Sequence, residues 1–170
     1  MTSAALETLR ARLRDADRGL LRALDARSRL PRHPGPAWPG EPIRRPAPPL
    51  AEILLAISPA GSAADPEAAE AANRNLVAAL AARQEIAGRI ADAKFDRVRP
   101  DAQAALETGD RERMAVLLAD LSAELRRLDS IRTDAAEFAP RLPAGLAPLL
   151  WREYLIPWTR QSELAHLLEP

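Results

Sequence analysis

Apolar residues recur at alternating spacings of three and four along most of the chain. Over residues 4–30 the line runs through Leu6, Leu9, Leu13, Ala16, Leu20, Ala23 and Arg27, which predicts one amphipathic helix. A second start signal lies at Asp65, a helix-capping residue followed by Pro66 and Glu67, and predicts a helix to about Arg97. Its seam reads Leu76, Leu80, Arg83, Ala87, Ile90, Lys94. The stretch "RPDAQAALETG" reads as a short helix ended by Gly109. Asp110 then opens a third long helix, expected to reach about Phe138 with Met114, Leu118, Leu121, Leu125 and Leu128 inward, and "PRLP" breaks it. A last helix covers roughly 144–168, with Pro157 inside it as a kink. Residues 49–57 suit a short helix closed by "SPAGSAA". No stretch alternates as a strand would, so the expected class is all-α, a helical bundle.

The proline-dense run "PRHPGPAWPGEPIRRPAPP" cannot be helical. It makes the 170-residue chain a single helical domain, 1–170, interrupted by a proline-rich insert at about 31–64. That length buries a hydrophobic core without staples, and there is no cysteine to form a disulfide or thiolate metal site. Lys plus Arg and Asp plus Glu both total 24, so the chain lacks the basic excess of a nucleic-acid binder. Charges every few positions in residues 2–30 argue against a secretory leader, and the most apolar run, "PLAEILLAIS", is too short to span a bilayer. A cytoplasmic protein with neither nucleic-acid nor membrane partners is expected.

Balanced charge directs attention to local clusters, and the cations in the helix seams are the odd feature. Arg83 and Lys94 are 11 residues apart. That is three turns, so they share a face about 16 Å apart along the axis. Arg27 keeps heptad register with Leu6, Leu13 and Leu20, and Arg111 extends the line of Leu118 and Leu125. Gln161 lies two turns beyond Tyr154. A buried cation without an anion costs several kcal/mol. Most Asp and Glu fall on outer positions, so a small dianionic ligand is the expected counter-ion. An internal repeat accompanies these residues: "DRGLLRALDAR" (17–27) aligns with "NRNLVAALAAR" (73–83), placing Arg27 against Arg83.

At these positions the chain resembles a known family. "LETLRARLRDADRGLLRALDAR" resembles the start of the first helix of the all-helical class of chorismate mutases, and "ALAARQEIAGRIADAK" resembles that helix's second half. "DRER" (110–113) is similar to the opening of the second helix, and "LLWREYLIPWTRQSEL" to the third. The resemblance implies a chorismate mutase-like helical bundle, an intertwined homodimer with one arginine crossing over (the internal repeat offers the alternative of one chain completing its own bundle), and rearrangement of chorismate to prephenate without a cofactor or metal. By the same resemblance, Arg10 and either Arg83 or Arg27 would bind substrate carboxylates, with Arg111 as a further pocket arginine. Glu112 would hold the substrate hydroxyl. Lys94 and Gln161 would donate to the breaking ether oxygen from opposite sides. Arg10 and Arg27 lie 17 residues apart, about 25 Å along a helix, so they cannot clamp one small molecule together.

Two other functions share these features. A lyase removing pyruvate from isochorismate would use the same fold and similar cations. A catalytically silent interaction or regulatory module would use the proline-rich insert, with Trp38 and its basic residues, as a docking segment. His33 and His166 lack ligand spacing, "ELRRLDSIRTD" reads as a solvated helix face, and Trp151, Tyr154 and Trp158 as core packing.

Overall fold

The computed structural model describes residues 3–31, 49–58 and 65–168. Most of the proline-rich insert, including Trp38, lies outside them. The described residues form α1 (Ser3–Ser28), α2 (Leu50–Ile57), α3 (Pro66–Arg97), α4 (Arg99–Thr108), α5 (Arg111–Leu118), α6 (Leu121–Phe138), α7 (Leu146–Leu150) and α8 (Ile156–Leu168). A π-helical turn over Trp151–Leu155 joins the last two. There is no strand among the described residues, as the periodicity predicts. None of their helices is long and apolar enough to cross a membrane.

Local chemistry fixes most boundaries. The Asp65 carboxylate accepts from Ala68 N, and Pro66 occupies the first turn, where a missing N–H costs nothing. Gly109 ends α4 at φ 67°, a left-handed conformation in which a side chain would be strained. The last helix is not kinked simply. Pro157 has no N–H to donate, and the chain widens just before it, so that Ile156 N–H reaches back to Trp151 O, five residues away.

The long helix expected from Asp110 to Phe138 is two helices. Ala119 is extended, and Asp120 caps a fresh start by accepting from Ala123 N at 3.0 Å. The restart changes the helix phase. Met114 and Leu118 are buried as expected, but Leu121 and Leu125 are 63% and 64% exposed. On α6 the inward line instead runs through Glu124, Arg127, Ile131 and Asp134. "ELRRLDSIRTD" is therefore not a solvated face.

Helices α1 and α3 pack antiparallel along their length. Leu6 and Leu13 cluster with Ile90 and Ala93 at one end, and Leu20 and Leu24 with Leu76 and Leu80 at the other. Helix α8 packs on α3, and α6 packs on α1. The larger cluster adds Ile131, Leu150, Trp151, Leu155 and Trp158. A third cluster, Ala102, Ala105, Met114 and Leu118, joins α4 to α5.

The repeat has a structural counterpart. Arg83 Nε donates to Asp17 Oδ1 at 3.0 Å, and Arg27 Nε donates to Asn73 Oδ1 at 2.6 Å. The alignment equates Asp17 with Asn73 and Arg27 with Arg83, so the two pairs are exchanged by a local two-fold between antiparallel helices.

Candidate active site

Between the two apolar ends of the α1–α3 pair, α1, α3, α6 and α8 each replace an inward apolar residue with a polar one near the same level. On α1 it is Asp17, between Leu13 and Leu20. On α3 it is Arg83, between Leu80 and Ala87. On α6 it is Arg127, one turn before Ile131; on α8 it is Thr159 and Glu163, following Trp158. This level opens onto a cavity of about 60 Å³. Five cations line it: Arg10, Arg83, Lys94, Arg127 and Arg160. Three carboxylates line it too, Asp120, Glu124 and Glu163, together with Thr159 and the apolar Leu13, Ile90 and Ile156.

Each cation already has an anion. Arg83, 1% exposed, donates to Asp17 and to Leu155 O at 3.3 Å, and also bonds Thr159 Oγ1. Arg127 reaches the other oxygen of the same Asp17 through Nε at 2.7 Å. Lys94 Nζ lies 2.7 Å from Glu163 Oε2. At the rim, Arg10 pairs with Asp120, and Arg160 holds Glu124 by two parallel bonds. The helices thus supply more inward carboxylate than the sequence pattern suggested. Arg83 and Arg127 share Asp17 behind the wall, while Arg10 also pairs with Glu7, so five cations meet five carboxylates. One positive charge is left over when Glu163 carries a proton.

Glu163 favours that proton. Burial at 4% exposure pushes its carboxyl above the usual carboxylate range, Glu124 adds to the rise, and Lys94 and Arg83 pull against it. Burial also lowers the pKa of Arg83, opposed by Asp17 and reinforced by repulsion from Arg127. A guanidinium stays charged in proteins regardless. Burial of Asp120 tends to raise its carboxyl, but Ala123 N–H and Arg10 outweigh it, and the net shift is downward. The Glu124 bonds raise the pKa of Arg160.

Of the seven residues expected from sequence, the cavity brings together Arg10, Arg83 and Lys94. It does not bring in the other four. Arg27 is buried at the far end of α1, against Asn73 Oδ1 and Leu30 O at 2.7 Å. Of the two alternatives at that position, the cavity takes Arg83. Arg111 and Glu112 are exposed in the first turn of α5, whose inward residues Met114 and Leu118 pack on α4 instead. The restart at Asp120 hands the cavity wall to α6, one helix later. Gln161 is exposed because the inward face of α8 runs through Trp158, Ser162 and Glu163. Gln161 stands about 200° around the helix from Glu163. The residues missed carried signals of their own. Asp120 followed by Glu124 is a helix start, and Thr159 and Glu163 share a face at i, i+4.

Comparison with solved structures gives a match to the crystal structure of the chloroplast chorismate mutase from Zea mays. Its TM-score is 0.78 at 16% sequence identity, covering 96% of this chain and 94% of that chain. The chain has the all-helical chorismate mutase fold. No family model and no curated protein matches its sequence.

Proposed function

We propose that the chain is a chorismate mutase, rearranging chorismate to prephenate in the cavity between α1, α3, α6 and α8. The observation that carries this assignment is Lys94 donating to the buried Glu163, 2.7 Å apart beside the buried Arg83, in a chain with this fold. The rearrangement is unimolecular: a carbon–oxygen bond breaks as a carbon–carbon bond forms. It calls for no nucleophile, proton transfer or cofactor. What remains for a protein is to hold a flexible dianion in its compact reactive shape and to stabilise negative charge developing on the ether oxygen.

The division of labour follows from position. Arg10, Arg83 and Arg127 bind the substrate carboxylates. Lys94 and protonated Glu163 donate to the ether oxygen from neighbouring directions, the second in the role the family resemblance gave to Gln161. Thr159 holds Arg83 in place through its hydroxyl. Leu13, Ile90 and Ile156 keep the local dielectric low, which strengthens each of these interactions. Ligand pockets usually start at about 300 Å³, well above the 60 Å³ found here. Binding therefore opens the rim pairs Arg10–Asp120 and Arg160–Glu124, and the substrate carboxylates replace those anions.

The test is to mix purified protein with chorismate, follow the loss of its ultraviolet absorbance, and identify the product. Prephenate supports the assignment. Pyruvate release from isochorismate in place of prephenate formation would transfer the site to the lyase reaction, and absence of turnover with either compound leaves a silent bundle.

A further inference from the structure

Asp17 is not among the residues lining this cavity, yet it sits at the centre of the polar layer. It is 1% exposed and touches arginines from two other helices. Its Oδ1 accepts from Arg83 Nε at 3.0 Å, and its Oδ2 takes Arg127 Nε at 2.7 Å and Nη2 at 2.5 Å. Both arginines line the cavity that Asp17 backs.

The fold contains its own control for this arrangement. At the pair related by the local two-fold, Arg27 is 0% exposed and is held by neutral Asn73 and a backbone carbonyl. A buried arginine in this helix pair therefore seats on an amide. A carboxylate at position 17 is needed for a different reason: two guanidiniums converge there. Only an anion with two acceptor oxygens holds both, because like charges at this separation otherwise repel.

We propose that Asp17 is a positioning residue, which clasps Arg83 and Arg127 side by side so that together they receive one carboxylate of a dianionic substrate. This rests on the proposed function for the identity of the substrate, though not for the clasp itself. The edges committed to Asp17 set the orientation of both guanidinium planes. Arg83 Nη1 is spent on Leu155 O and Thr159, which leaves Arg83 Nη2 and Arg127 Nη1 as the nitrogens not committed to these acceptors.

Asp17→Asn is the informative variant. It converts the pair into a copy of Arg27–Asn73, so the chain folds and Arg83 stays seated. The amide nitrogen then faces Arg127, donor against donor, and Arg127 is released. Two readouts decide the matter. The first is the nitrogen–proton NMR signals of the Arg83 and Arg127 Nε–H groups. Both are expected in slow exchange in the parent, with only the Arg127 signal lost in Asp17→Asn. The second is a KM–kcat split with chorismate: KM rises tenfold or more, kcat falls by less, and adding Arg127→Gln to Asp17→Asn raises KM no further. Retention of both signals, or a KM within twofold of the parent, overturns the proposal. So does an additive double variant. Should the parent not turn over chorismate, malate serves as the dicarboxylate probe. Malate is then expected to shift both arginine signals in the parent, and to shift the Arg83 signal in Asp17→Asn only at tenfold or higher concentration. An Arg83 shift at the same malate concentration in the two proteins overturns the clasp independently of the mutase assignment.

Discussion

Glu163→Gln separates the role of the proton at position 163 from that of the side chain's shape. Glu163 is 4% exposed, and its carboxyl lies above the ordinary carboxylate range because burial outweighs the opposing pull of Lys94. In the proposed mechanism it donates to the ether oxygen as an acid; as a carboxylate it cannot, and it repels the charge developing there. The turnover rate in the parent should therefore hold at low pH and fall as pH rises through the raised pKa, by about tenfold per unit beyond it. Glutamine keeps a donor at every pH, so the variant's rate should stay flat where the parent's falls. Stability carries the same sign. The folded state binds this proton more tightly than the unfolded chain, so the Glu163 contribution is present at low pH and lost as pH climbs from the ordinary carboxylate range through the raised value. The variant also removes the partner of Lys94, whose side chain is 15% exposed, at a cost of roughly 1–3 kcal/mol. Steady-state kinetics with chorismate from pH 4 to 9, with urea unfolding alongside, measures both effects. Parallel pH profiles for the two proteins, or a flat profile for the parent, would refute protonated Glu163 as the donor.

Asp120→Asn should lower KM severalfold by freeing Arg10 from a competing rim anion, with little change in stability because asparagine caps a helix as well as aspartate does; an unchanged or higher KM would show that the rim pair does not compete with substrate. Leu125→Ala should shift stability by less than about 0.5 kcal/mol, because Leu125 is 64% exposed. Ile131→Ala, at a fully buried position on the same helix, should cost about 2–5 kcal/mol. Urea titration of the two variants checks the phase of α6.

Wherever one signal sufficed, the sequence spoke plainly. Asp65–Pro66 and Gly109 mark helix ends by side-chain capping and a left-handed turn, and both elements lie where the pattern puts them. The seam of α3 is legible in the same way, and its two cations do reach one cavity. Phase was harder to read. A heptad line extrapolated from Leu118 through Leu125 assumes an unbroken helix, and the non-helical pair Ala119–Asp120 invalidates it. That break moves the cavity wall from Arg111 and Glu112 to Asp120, Glu124 and Arg127. The same kind of error separates Gln161 from Glu163, since a shift of two residues crosses to the far side of a helix. Pairing was harder still. Asp17 and Glu163 read as ordinary helical acids, and only the antiparallel packing of α1 on α3, with α8 alongside, brings them to Arg83 and Lys94.

The most direct test of catalysis in this cavity is the turnover of chorismate by Lys94→Ala, compared with the parent at matched helicity by circular dichroism. In the proposed mechanism Lys94 is the cationic donor at the ether oxygen, and loss of such a donor costs about 2.7–4 kcal/mol, or a hundredfold or more in kcat. A fall of that size with the helical signal intact is the expected result. Parent-like turnover in Lys94→Ala would contradict the mechanism.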